Sequence, residues 1–251
     1  MMSGLLLELK KLHRRYVPAM FLACLGLMAA WMWWVVSDLN PASLNDPSAM
    51  LYLNLLLMNT ILSPIVLAAA ASRMCDMEQL GNTFKWLCTM QKPEQIYQGK
   101  AAAGALFLTG FSMLQAIFYD LFCIQEGIFA PARALWLFVS LFLPGMILFL
   151  LQLNLSMFFT NQLTPMFFCI GGTFAGLFSW FLPGLPLRYL IPWGYYAALC
   201  PTGYDYNEAI RYTTYFWEPV PVLPGLLCLT VLLLLYWSGK KSFLNNIRKT
   251  I

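Results

Sequence analysis

Few residues in this sequence could do covalent or metal chemistry, and their spacing argues against most of it. His13 is the only histidine and lies among Lys10, Lys11, Arg14 and Arg15. A zinc site, or a serine or cysteine triad with a histidine base, cannot be assembled from this chain. Of the seven cysteines, Cys24, Cys123, Cys169 and Cys228 fall in apolar runs, while Cys75, Cys88 and Cys200 are far apart in sequence, so no metal or redox spacing exists. An intramembrane aspartyl enzyme needs two facing carboxylates, yet Asp120 is the sole acid near the middle of an apolar segment. No Walker-type phosphate loop is present. The expectation is a non-enzyme, with no metal and no cofactor in this chain.

Polar residues inside apolar runs are the next candidates. Asn54, Asn59 and Ser63 share one run, and Gln152 and Asn154 share another. At membrane depth such groups face protein or a cavity, and bonding between helices is the first reading, ahead of a substrate path. Gly172 and Gly176 make a Gly-x-x-x-Gly step that lets helices approach closely. Asn59, Ser63, Gly172 and Gly176 are therefore candidate helix-interface residues, within one protomer or between two.

The elements that position these residues follow from composition. Of 251 residues, 60% are hydrophobic and 10% charged, with mean hydropathy +0.67; soluble domains carry about 25% charged residues. The chain reads as an all-α integral membrane protein without nucleic-acid partners. A helix needs about 20 apolar residues to cross the hydrocarbon, and six candidates run near 17–36, 50–72, 101–123, 134–159, 165–182 and 220–238. The first follows basic residues as a signal peptide would, but it is long and lacks a clear cleavage site, so it is read as a retained span. Positive residues stay on the cytoplasmic side. Twelve of the fifteen basic residues lie in the N-terminal segment, the 73–100 loop and the C-terminal tail, leaving Arg133, Arg188 and Arg211 opposite. Both termini are expected in the cytoplasm.

Two pieces do not span. Leu5, Leu9, Leu12 and Tyr16 recur at helical spacing, with Glu8, Lys11 and Arg15 on another face, which predicts an in-plane interfacial helix over 1–16. The 183–219 segment holds seven tyrosines with Trp193 and Trp217, rings that favour the membrane–water boundary. The reading is an extracellular re-entrant region of short helices broken at Pro192 and Pro201. Trp193, Tyr204, Asp205, Glu208 and Trp217 are its candidate substrate contacts, because acids beside aromatic faces attract cationic ligands.

The most informative stretch is the loop over 73–100. Asn82 or Thr83 can cap a short helix, with Phe84, Leu87 and Cys88 on one face, Lys85 and Lys92 solvated, and Pro93 disfavouring its continuation. Taken alone, that suits an interfacial loop equally well. However, Glu78, Gly81-Asn82-Thr83, Leu87, Pro93 and Gly99-Lys100 at the mouth of the third span resemble the intracellular loop of ABC-2 type exporter permeases. Phe84-Lys85 stands where many relatives carry an acid followed by leucine. The resemblance extends over the six-span plan, the N-terminal helix and the re-entrant region, so that 1–251 reads as one ABC-2 type transmembrane domain. In subfamily the chain looks most like lantibiotic-immunity permeases.

The resemblance implies a permease of an ATP-driven exporter in a bacterial cell membrane, with ATP and Mg bound by a partner pair of ABC ATPases and a second permease chain, same or homologous, completing the path. Glu78, Asn82, Thr83, Phe84, Lys85 and Leu87 would then contact the ATPase, and the cargo would be an amphipathic antimicrobial peptide drawn from the bilayer. Alternatives are export of another hydrophobic drug or lipid, or a non-transporting immunity or sensor protein that binds peptide.

Overall fold

The computed structural model describes residues 2–37, 46–81, 87–88, 90–128, 130–182, 185–207 and 212–250. Its elements in chain order are α1 (Met2–Arg14), α2 (Val17–Ser37), α3 (Pro47–Leu80), α4 (Pro93–Gln125), α5 (Pro131–Phe158), α6 (Leu163–Phe181), α7 (Leu187–Leu190), a 3-10 turn (Pro192–Gly194), α8 (Tyr195–Ala198), strands β1 (Thr202–Asn207) and β2 (Tyr212–Trp217), and α9 (Val222–Thr250). Six helices are long and apolar enough to cross a membrane: α2, the Pro47–Asp76 part of α3, α4, α5, α6 and the Val222–Ile247 part of α9. Proline opens α3, α4 and α5, where its fixed φ suits the first helical turn and its missing N–H costs nothing.

The long helices α3 and α5 pack most extensively on each other; α4 and α9 lean on α5, α2 and α6 lean on α3, and α1 lies against α4. Lipid tails are as apolar as leucine, so such a bundle is held by close packing and hydrogen bonds instead of by water exclusion. Small residues mark the closest approaches. A methyl group at Gly104 of α4 would overlap the Phe149 ring of α5, and one at Gly239 of α9 would overlap the Asn154 amide. Pro64 and Pro144 lie inside α3 and α5; one turn before Pro64, Trp180 Nε1 of α6 donates to the Thr60 hydroxyl at 3.0 Å and ties α3 and α6 together.

The structure departs from the sequence expectations in four places. The segment 73–100 is not a loop throughout: α3 continues to Leu80 and α4 starts at Pro93, because no breaker intervenes before Gly81 and good helix formers follow Pro93. The third span accordingly begins well before residue 101. Glu8 does not sit on a solvated face of α1; it is buried together with Leu12, while Tyr16, expected with the apolar set, is exposed. Tyr16 has φ 58°, a left-handed turn at the end of α1 that redirects the chain into α2. Finally, 183–219 is not wholly helical. Its second half is an antiparallel hairpin, with Thr202 paired to Trp217 and Asn207 to Tyr212. The β-branched and aromatic run Tyr212-Thr213-Thr214-Tyr215-Phe216-Trp217 favours a strand.

Both ends of the chain meet the start of α4 at one end of the bundle, through Glu8 with Lys100 and Lys240 with Glu94. That basic end lies opposite the aromatic end, which carries the hairpin.

Candidate functional site

The basic end is organised around one lysine. Lys100 enters α4 at the edge of the run Ala101-Ala102-Ala103, and its side chain is fully buried. An ammonium has three donors and no acceptor, and here three acceptors meet it: Glu78 Oε1 at 2.9 Å, Glu8 Oε2 at 3.3 Å and the Met74 carbonyl at 2.7 Å. Lys11 closes the network, donating to Glu8 Oε1 at 2.8 Å and Glu78 Oε1 at 3.0 Å. Two carboxylates thus balance two ammoniums in a nearly dry site. Burying either sign alone would be costly, and the geometry offsets this only with every member present.

The cluster joins three elements, since Glu8 and Lys11 come from α1, Glu78 from α3 and Lys100 from α4. Helical spacing explains part of it: Glu8 and Lys11 are i, i+3 neighbours and stack on one face of α1. Around it, Arg15 Nη1 lies 3.8 Å from Asp76 Oδ2, and Arg73 donates to the Arg15 carbonyl at 3.2 Å. The next residue of α3 reaches the other way. Gln79 Nε2 donates to the Ser156 carbonyl at 2.8 Å and the Phe159 carbonyl at 3.3 Å, and Gln162 donates to Gln79 Oε1. Two consecutive side chains therefore tie the end of α3 to α1, to α4 and to the turn between α5 and α6.

Of the residues expected to contact an ATPase, Asn82, Thr83, Phe84 and Lys85 lie outside the described residues. Glu78 is buried in the ion cluster. Leu87 and Cys88 are helical and pack, half-buried, against the core, whereas Met90 is exposed. Burial, and then the Glu78 carboxylate beside it, raises the Cys88 thiol above its ordinary range. Glu8 and Lys11 escaped the sequence reading of the site; the visible signal was their i, i+3 spacing. Lys100 stands out in the sequence as a lysine beside an apolar run, whereas its partners Glu8 and Glu78 are set by the packing of α1 and α3 on α4.

Of the polar residues at membrane depth, Asn59 and Asn154 bond to other helices, Asn54 returns to the Met50 carbonyl of its own helix at 3.0 Å, and the buried Gln152 amide has no hydrogen-bond partner among the described residues. Asn59 Nδ2 donates to Gln115 Oε1 of α4 at 2.6 Å and to the Leu55 carbonyl at 2.8 Å, while Ser63 donates to Asn59 Oδ1 at 2.6 Å. Asn154 accepts from Tyr97 at 3.0 Å. Gly172 and Gly176 of α6 face not a second long helix but Trp193 of the 3-10 turn: a methyl at Gly172 would overlap the indole, and one at Gly176 would stand 2.8 Å from the Trp193 carbonyl.

At the aromatic end, the five residues proposed for substrate separate into two groups. Trp193 is buried. Trp217 is held from three sides, with Nε1 donating to Asp46 Oδ2 at 2.8 Å, the Arg133 guanidinium 4.1 Å from its ring centre and the Tyr52 ring edge-on at 5.4 Å. Tyr204 and Asp205 instead stand exposed on β1. Glu208 lies outside the described residues. Cys200, at the root of the hairpin, lies 3.0 Å from Thr202 Oγ1, and burial pushes its thiol up to about 11.

Among the described residues, no group of three His, Cys, Asp or Glu side chains could hold a metal ion. The cluster's charges neutralise one another at a junction of three helices. Neither the curated proteins nor the solved structures yield a match to this chain. The model of the family described as "ABC-2 family transporter protein" matches residues 5–176, from α1 through most of α6 and including every member of the ion cluster. A six-span bundle with that match over more than half its length belongs to the ABC-2 family of transporter proteins, as a membrane-embedded permease subunit.

Proposed function

We propose that this chain is the permease of an ATP-driven exporter that expels a lantibiotic or similar cationic, amphipathic antimicrobial peptide from the membrane of the cell that carries it. Two ABC ATPase subunits would bind ATP and Mg on the cytoplasmic side, where both termini lie, and a second permease chain would complete the path. The observation that carries the reading is the Glu8–Lys11–Glu78–Lys100 cluster, whose Glu78 and Lys100 flank in sequence the segment in which the coupling residues fall. Glu78 and Gln79 precede residues 82–90 by only a few positions in sequence, so a push on that segment from closing ATPases would be passed to the end of α3. Glu78 moves with α1 and α4, and Gln79 with the α5–α6 turn, so one displacement shifts several spans together.

For the cargo, Tyr204 and Asp205 on the exposed strand are better placed than Trp193 and Trp217, whose rings are engaged in packing. A carboxylate beside an aromatic face draws a lysine-bearing peptide electrostatically.

The test is copurification of the tagged chain with an ATPase, followed by ATP hydrolysis in proteoliposomes with and without a cationic lantibiotic. The expected result is an assembled complex whose hydrolysis rises with peptide. Asp205→Asn with Glu208→Gln should lower that stimulation more at low salt than at high salt, since exposed charges are screened within about 10 Å at 0.1 M. Phe84→Ala with Leu87→Ala should leave assembly in place and lose the stimulation. Failure to retain any ATPase would reject the permease mechanism in favour of a non-transporting binder. Stimulation by an apolar drug or lipid but not by peptide would reassign the cargo.

A further inference from the structure

A second site stands at the aromatic end, apart from both the ion cluster and the exposed strand. Arg133 is the third residue of α5 and half-buried. Its Nη1 donates to Ser48 Oγ at 3.2 Å, and its Cζ lies over the Trp217 ring, 4.1 Å from the ring centre. An arginine carries five donors in a planar fork shaped for carboxylate or phosphate. Among the described residues, however, Arg133 forms no ion pair. The nearby Asp46 is otherwise occupied: one oxygen accepts from Ser48 at 2.7 Å and from the Ala49 amide at 3.0 Å, capping α3, and the other accepts from Trp217.

Beside Arg133 opens a cavity of about 200 Å³ lined by Tyr52, Ala132, Arg133, Trp136, Trp217 and Glu218, among others. Sites for drug-sized ligands run to about 300–1,000 Å³, so this one suits a headgroup-sized ligand. Trp136 Nε1 is already bonded to the Leu199 carbonyl at 3.1 Å, which leaves its ring as apolar wall. In the first turn of α5, Pro131 has no N–H and the Arg133 amide donates to the Ala130 carbonyl at 2.9 Å, which leaves the Ala132 amide and the helix dipole to add positive partial charge. Both α3 and α5 begin their spans here, which sets the cavity at the level of lipid headgroups.

We propose that this cavity binds the phosphodiester of a membrane phospholipid. Arg133 and the start of α5 take the phosphate, and the aromatic walls take the glycerol side. Glu218 opposes a bare anion and accepts an ammonium, so the preferred headgroup is phosphoethanolamine, ahead of phosphoglycerol and of inorganic phosphate. A lipid so held clamps α3, α5 and the base of the hairpin together, independently of what the permease transports.

The test is native mass spectrometry of the full-length detergent-purified chain titrated with dioleoyl-phosphatidylethanolamine, dioleoyl-phosphatidylglycerol or sodium phosphate. The wild type should retain one phosphatidylethanolamine. Arg133→Gln should weaken that retention about tenfold, as loss of a charge-assisted bond does, and Glu218→Gln should abolish the preference over phosphatidylglycerol. Arg133→Lys keeps the charge over Trp217 but loses the fork; it should melt like the wild type and still lose several-fold in retention, which serves if the Gln variant misfolds. Equal retention by wild type and both Arg133 variants would overturn the site. Displacement of the lipid by millimolar phosphate would overturn its assignment to a lipid headgroup.

Discussion

At the basic end, the Lys100 ammonium, with no accessible surface, meets two carboxylates and a carbonyl, and four charges from three helices neutralise one another. At the aromatic end, charge is sparse and each contact is a single bond or ring face: Trp217 on Asp46, Arg133 over Trp217, Trp136 on a carbonyl. Losing one partner of a buried ion network leaves an uncompensated charge, which costs about 3–5 kcal/mol, whereas a single hydrogen bond or stacked cation contributes about 0.5–3 kcal/mol, the upper part for the bond to the Asp46 carboxylate. The first kind of junction moves as a block or not at all; the second can be re-made a contact at a time. Under the proposed function, the rigid junction would take the push and the looser end would meet the ligand.

The largest effect expected from breaking that contrast comes from Lys100→Met, which strands Glu8 and Glu78. Unfolding in detergent should show a loss of about 3–5 kcal/mol, and Lys100→Met with Glu78→Gln should be less unstable than the sum of the two single variants. Strict additivity would show that the four groups do not act as a unit.

Thiol chemistry sharpens the comparison and reports sidedness. With its thiol at about 11 against an ordinary 9.0, Cys200 has roughly a hundredfold less thiolate at neutral pH than a free cysteine. Labelling of intact cells by a membrane-impermeant maleimide should thus be slow and accelerate as pH rises from 7 towards 9. Cys75 is fully buried and should stay silent from either side. Cys88 should react only in inside-out vesicles; its labelling in intact cells would invert the proposed topology.

The smallest effects concern packing at the aromatic end. Gly172→Ala should cost about 1–3 kcal/mol by overfilling the contact with Trp193, and Trp193→Leu should relieve part of that loss. Gly176→Ala should resist the same rescue, because its obstacle is the Trp193 backbone carbonyl. Equal rescue at both positions would place Trp193 elsewhere.

Much of this molecule is written locally. Six apolar runs and the concentration of Lys and Arg in three segments are read directly from order and composition, because crossing hydrocarbon demands a minimum length and an internally bonded backbone whatever the neighbours are. Asn59 bonds across to Gln115 of α4, whereas Ser63 bonds Asn59 within its own helix, because a polar side chain in hydrocarbon takes whichever partner lies in reach. Three features are not written locally. Glu8 and Lys100 are 92 residues apart, and no local rule pairs a carboxylate in an amphipathic helix with a lysine at the mouth of a distant span. Gly172 and Gly176 announced a close approach without naming Trp193 as what approaches. The hairpin at Thr202–Trp217 was hidden because aromatic residues serve an interfacial belt and a strand alike, and only the pairing of two separated segments separates the readings. Sequence alone determined which segments cross the membrane, since that depends on solvent. Which side chains neutralise one another at its edges was decided by the tertiary structure, since a buried charge is stable only where distant elements deliver its counter-charge.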